Sequence, residues 1–77
     1  MEKKHEIDLG GRILEVVDII EMTDNSTEWM YLLLDFKVST AELFRLGETY
    51  INNEMYFIEQ IRKTDILPCF EVICRKI

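Results

Sequence analysis

"EIDLGGRILEVVDII", residues 6–20, is the stretch whose reading decides the fold. Gly10 and Gly11 separate a short apolar run ending at Leu9 from a longer one beginning at Arg12, and glycine accepts the positive φ that a two-residue hairpin turn requires. The residues after the turn fit two templates. Ile13, Val16, Val17 and Ile20 recur at the i, i+3, i+4, i+7 spacing of an amphipathic helix, which would make the chain a helix–sheet mixture. Yet residues 12–22 hold five β-branched side chains, which pack well on a pleated surface and lose χ1 freedom in a helix. That content decides for one long strand, and with it for a chain built almost wholly of strands.

The same device recurs downstream. Asn52-Asn53 stands between Thr49-Tyr50-Ile51 and Met55-Tyr56-Phe57-Ile58, and asparagine tolerates the left-handed region better than most residues. A two-residue turn there pairs Tyr50 with Met55 and Thr49 with Tyr56, so the rings of this hairpin act as cross-strand partners. "TDNST", 23–27, reads as a turn-rich loop, and 28–38 alternates, with Met30, Leu32, Leu34, Phe36 and Val38 on one face and Trp29, Tyr31 and Leu33 on the other. Ser39 and Glu42 form a capping box and Gly47 a stop, which predicts a short helix over about residues 40–46. Pro68 closes a loop begun at Thr64-Asp65, and Phe70–Ile77 gives the last strand.

The expected fold is mainly β, an α+β arrangement of six strands in a small barrel or curled antiparallel sheet. Two β-β-β halves flank the one short helix. Residues 1–77 form a single domain, with 1–4 expected as a flexible tail.

The pattern Gly47-Glu48-x-Tyr50, turn Asn52-Asn53, Glu54-x-Tyr56 is similar to hairpins in small barrel proteins of phage particles, the head-to-tail connectors and tail-associated domains. The likeness spans this hairpin alone. It implies an assembly component, a structural or adaptor protein of phage, mobile-element or bacterial type, rather than an enzyme, and it assigns no site residue.

Composition narrows the classes further. The net charge of −6 disfavours broad phosphate binding, which draws its affinity from lysine and arginine. A nucleic-acid or acidic-ligand role would rest on a modest basic patch of Arg62, Lys63, Arg75 and Lys76, with Tyr56 or Tyr50 as a stacking platform. The longest apolar run, "WMYLLL" at 29–34, is far short of the roughly 18 residues of a spanning helix, and the charged start lacks the apolar core of a secretory signal. Cys69 and Cys74 lie five apart, an odd spacing that sends them to opposite faces of a strand, where they cannot bridge. Two unbridged thiols suit a reducing cytoplasm.

Catalytic chemistry is poorly supplied. His5 is the only histidine and sits in the tail, Cys69 follows Pro68 as the more accessible thiol, and Cys74 sits mid-strand as a small buried hydrophobe. Neither a four-ligand metal set nor a nucleotide fingerprint appears, so no enzyme, metal or cofactor is expected. What stands out is apolar surplus. With Tyr50, Met55, Phe57 and Ile61 inward in the second hairpin, Ile51, Tyr56 and Ile58 would point away from the core, as would Trp29, Tyr31, Leu33 and Ile73. Either the short helix covers this face through Leu43, Phe44 and Leu46, or, since two turns are small for the task, Trp29, Tyr31, Leu33, Tyr56, Ile58 and Ile73 are the expected contact surface for another protein chain, a homodimer being the simplest assembly.

Overall fold

The computed structural model describes residues 5–35, 42–65 and 69–77. These form seven antiparallel strands: β1 (His5–Leu9), β2 (Arg12–Val16), β3 (Asp18–Asp24), β4 (Thr27–Asp35), β5 (Gly47–Ile51), β6 (Glu54–Lys63) and β7 (Cys69–Lys76). They make one sheet in the order β2-β1-β5-β6-β7-β4-β3.

Three two-residue turns set the hairpins. Gly10-Gly11, Asn25-Ser26 and Asn52-Asn53 all have positive φ at both central positions, the requirement of a type I′ turn whose twist matches that of the flanking strands. The "TDNST" segment is thus a tight turn, with β3 running on to Asp24.

The stretch 12–22 is extended, but it is two strands rather than one. Among the described residues β2 pairs only with β1, and β3 only with β4, at the opposite end of the sheet order. Val17 alone joins them, its amide donating to the Leu33 carbonyl at 2.7 Å. Two strands linked by one residue cannot stand at opposite edges of a flat seven-stranded sheet. The sheet therefore curls into a half-barrel, and the molecule's 32 × 28 × 26 Å extents fit a curl rather than a single layer about 10 Å thick.

A shift of 42 positions carries the N-terminal half, 5–35, onto the C-terminal half, 47–77, taking Gly10 to Asn52 and Val17 to Glu59. The pairing obeys it. Trp29↔Arg75 and Leu33↔Glu71 exchange under the shift, while Tyr31↔Ile73 and Leu9↔Ile51 map onto themselves. The two bonds that lock the hairpins together, Gly10 N to Tyr50 O and Asn52 N to Asp8 O, also exchange, at 3.1 and 2.8 Å. The pairing thus has a pseudo-two-fold, but the expected six strands in two β-β-β halves are corrected to seven, four in the first part and three in the second. The halves diverge beyond Val17 and Glu59. The first breaks the strand at Val17, while the second keeps it continuous with a bulge between Ile58 and Gln60.

The core lies inside the curl, where Leu32, Leu34, Ile51, Ile58, Val72 and Cys74 are completely or almost completely covered. Two expectations are corrected here. No helix occurs among the described residues. Residues 42–46 run through a turn without helical repeat, and Ser39, Phe36 and Val38 lie outside the described residues. An isolated two-turn helix gains little by itself. Phe44 is instead buried edge-on against Phe70, ring centroids 6.1 Å apart at 70°, a contact worth about 0.5–1.5 kcal/mol beyond its buried area.

The second correction is the facing of the 47–63 hairpin. Ile51, Tyr56 and Ile58 are inward, at 0%, 6% and 1% exposure, while Tyr50 is out and Met55 and Phe57 are only half-buried. Both faces carry apolar residues, so alternation alone does not choose between them. The Leu9↔Ile51 contact does. The bulge then restores Ile61 to the inner side.

At the third turn, Asn53→Gly should leave stability unchanged or slightly raised, whereas Asn53→Val, a β-branched residue forced to positive φ, should cost about 1–2 kcal/mol. Thermal unfolding of the two variants checks this, and equal melting temperatures would contradict the turn.

Candidate functional site

Cross-strand partners share a face, so the register places every outward side chain of β3, β4, β7 and β6 in rows. One row is Met22, Trp29, Arg75 and Phe57; the next is Ile20, Tyr31, Ile73 and Gln60; the third is Asp18, Leu33, Glu71 and Arg62. Trp29, Tyr31, Leu33 and Ile73, four of the six residues expected at a contact surface, come together here. Ile73, flanked by Tyr31 and Gln60 in its row, is already buried at 8% exposure. Tyr56 and Ile58 are not on this face. They belong to the core, because the hairpin faces the other way.

Sequence reasoning missed Ile20 and Met22, which are 52% and 49% exposed beside Tyr31 and Trp29. Their signal was the same parity as Asp18 and Asp24, legible once 18–24 is known to be a strand of its own. A shallow cavity of about 620 Å³ lies on this face, floored by Ile20, Tyr31 and Leu33 and bordered by Asp18, Arg62 and Glu71.

The pseudo-symmetry supplies an internal control. Matched row by row, with the bulge in β6 counted, Ile20, Met22, Trp29 and Leu33 correspond to Gln60, Arg62, Glu71 and Arg75, and Val17 corresponds to Glu59. In the C-terminal half four of these positions carry solvent-compatible ion pairs, Arg62 with Glu71 at 2.7 Å and Arg75 with Glu59 at 2.6 Å, and the fifth, Gln60, is polar. In the N-terminal half the same positions are apolar.

The expected basic patch does not form one surface. Arg62 lies opposite Glu71 and Arg75 four residues farther along β7, so Arg62 and Lys63 are at one end and Arg75 and Lys76 at the other. Arg62 and Arg75 are paired as above, Arg75 also stands 5.4 Å over the Phe57 ring, and the Lys76 ammonium bridges Glu28 and Glu54 at 3.2 and 3.4 Å. Those two hydrogen-bonded carboxylates hold the Lys76 pKa above its ordinary value. Tyr56, once a candidate stacking platform, is buried with its hydroxyl donating to Glu54 at 3.3 Å. Burial, then the Glu54 charge, raises its pKa.

Lys76 and Tyr56 line a recess of about 410 Å³ at the mouth of the curl, together with Glu21, Glu28, Glu54 and Trp29. Among the described residues no group of three or more His, Cys, Asp or Glu side chains is placed to hold a metal ion. No helix among them is long and apolar enough to cross a membrane.

Both thiols are free and buried. Cys69 is the first residue of β7 rather than an accessible loop cysteine, with its thiol 3.8 Å from Asp35. Burial, and after it the Asp35 charge, raises its pKa. Cys74 is in the core, where burial pushes its pKa up to about 12.

Compared with protein families, curated proteins and solved structures, the chain has no match. The functional reading rests on the faces themselves.

The Cys74 shift carries a pH dependence. In the unfolded chain the thiol loses its proton near its ordinary value of 9.0, while in the fold it keeps it to about 12. The folded state binds more protons in that window, so stability should fall as pH rises from about 9 to 12. Urea unfolding across that range should show the decline, and Cys74→Ala, though less stable at neutral pH, should show a shallower one. Identical slopes would contradict the assignment.

Proposed function

We propose that this chain is a non-catalytic interaction or assembly module that docks onto another protein through the outer face of its N-terminal half. Ile20, Met22, Trp29, Tyr31 and Leu33 form that surface. One observation carries the reading. The positions that hold ion pairs in the C-terminal half hold apolar side chains in the N-terminal half, Val17 and Met22 exposed and Trp29 and Leu33 half-buried, so neither the fold nor the strand position demands them. Monomeric proteins rarely keep contiguous apolar patches of this kind on a sheet face that water could cover with polar groups.

The hairpin likeness to phage connector and tail barrels supports an assembly role over an enzymatic one, and the free thiols suit a reducing compartment such as the cytoplasm. By symmetry alone a second copy of this chain would be the simplest occupant, but the acids of β3, Asp18, Glu21 and Asp24, weigh against it. Nucleic-acid binding draws little support, since Arg62, Arg75 and Lys76 are each engaged by carboxylates.

The test gives β3 the residues that the C-terminal half carries at the corresponding positions, Ile20→Gln with Met22→Arg. Both sites are exposed, so the double variant should unfold within about 0.5–1 kcal/mol of the unaltered protein. Fluorescence of an apolar dye in the presence of the folded protein should drop sharply in the variant. Loss of the fold on substitution, or dye binding that is absent from the unaltered protein, would overturn the reading.

A further inference from the structure

We infer that the free edge of β3 is a strand-addition site for an extended, basic segment of an unlike protein. The inference rests on the docking reading above and names its partner.

β3 is terminal in the sheet, and among the described residues it is hydrogen-bonded to β4 alone. All of its residues but Ile19 are exposed. The Ile19 amide donates to the Asp18 carboxylate at 2.9 Å, and the other edge-facing backbone groups of such a strand form a template on which an extended segment adds as the next strand. An added strand would lay its alternate side chains beside Asp18, Ile20, Met22 and Asp24, the outward set of β3. The complement of that set is a segment with lysine or arginine at both ends and two apolar residues at alternate positions between them.

Charge decides against a second copy. Antiparallel self-pairing centred on Glu21 would set Asp18 of one copy against Asp24 of the other at both ends, and Glu21 against Glu21. Like charges directly opposite across strands are destabilising. The surroundings reinforce this, since residues 5–35 hold eight acids against one base, Arg12, whereas residues 47–77 hold five against four. Among the described residues neither Asp18 nor Asp24 is in an ion pair. An acidic edge beside an apolar face thus repels its own kind and attracts a basic strand, so it both selects the partner and prevents self-association.

The probes are two capped heptapeptides, Lys-Thr-Val-Thr-Val-Thr-Lys and the same peptide with glutamate at both ends. Each is titrated to about millimolar concentration into the full chain, where short strand-adding peptides bind. Backbone amide exchange in β3 and the fluorescence of Trp29, the only tryptophan, are the readouts. The lysine peptide should slow exchange in β3 and shift Trp29 emission, and the glutamate peptide should do neither. Asp18→Asn with Asp24→Asn should weaken the lysine peptide about tenfold, and added salt should weaken it as well.

Equal binding of both peptides would overturn the charge argument. No effect of either on β3, with the dye result above intact, would overturn strand addition while leaving the docking face. A stable homodimer in sedimentation whose β3 amides are protected would replace the unlike partner with a second copy.

Discussion

Val17 is where the fold is decided. It joins strands at the two ends of the sheet with a single residue, and its amide is fastened to Leu33. Given that link, seven strands have no choice but to curl, because the ends of the sheet are held together by the covalent chain. The curl creates an inside, filled by Leu32, Leu34, Ile51, Ile58, Val72 and Cys74, and an outside, on which Ile20, Met22, Trp29, Tyr31 and Leu33 are left. A chain of this size buries a limited share of its surface, and here a sizeable apolar share stays on the outer side.

The pseudo-two-fold shows that this distribution is not an accident of a small core. Both halves use the same hairpin, the same turn chemistry and self-complementary pairing along β4 and β7. They differ in what they turn to water. The C-terminal half ties its bases to Glu59, Glu71, Glu28 and Glu54, which leaves little free positive charge for a nucleic acid. The N-terminal half sets apolar residues among acids. One half turns ion pairs to solvent, and the other carries the apolar face that we propose meets a partner.

Much of this was legible in the sequence. Gly10-Gly11 and Asn52-Asn53 announce their turns because few residues accept positive φ twice in a row. The facing of β4 and β7 was legible as well: Met30, Leu32, Leu34, Phe70, Val72 and Cys74 do go inward. The 47–63 hairpin was not, because Tyr50, Met55 and Phe57 are as apolar as Ile51, Tyr56 and Ile58, and only a long-range contact at Leu9 chooses between them. That is why Tyr56 and Ile58 were misplaced on the contact surface. The break at Val17 left no local mark either, since nothing in Val16-Val17-Asp18 states that the strands on each side have different neighbours. The capping box at Ser39 and Glu42 is a local signal that the burial of Phe44 overrides through residue 46. Local chemistry sets turns, whereas facing and strand partners are set by residues far along the chain.

Interstrand nuclear Overhauser effects test the central claim most directly, since the proposed docking face requires that β3 lie on β4 with its apolar side outward. The account predicts contacts between Ile20 and Tyr31 and between Met22 and Trp29, with β2 linked to β1 and β3 linked to β4. Contacts from Ile20 or Met22 to the core residues Leu32 or Val72, or a single uninterrupted partner strand for residues 12–24, would contradict it.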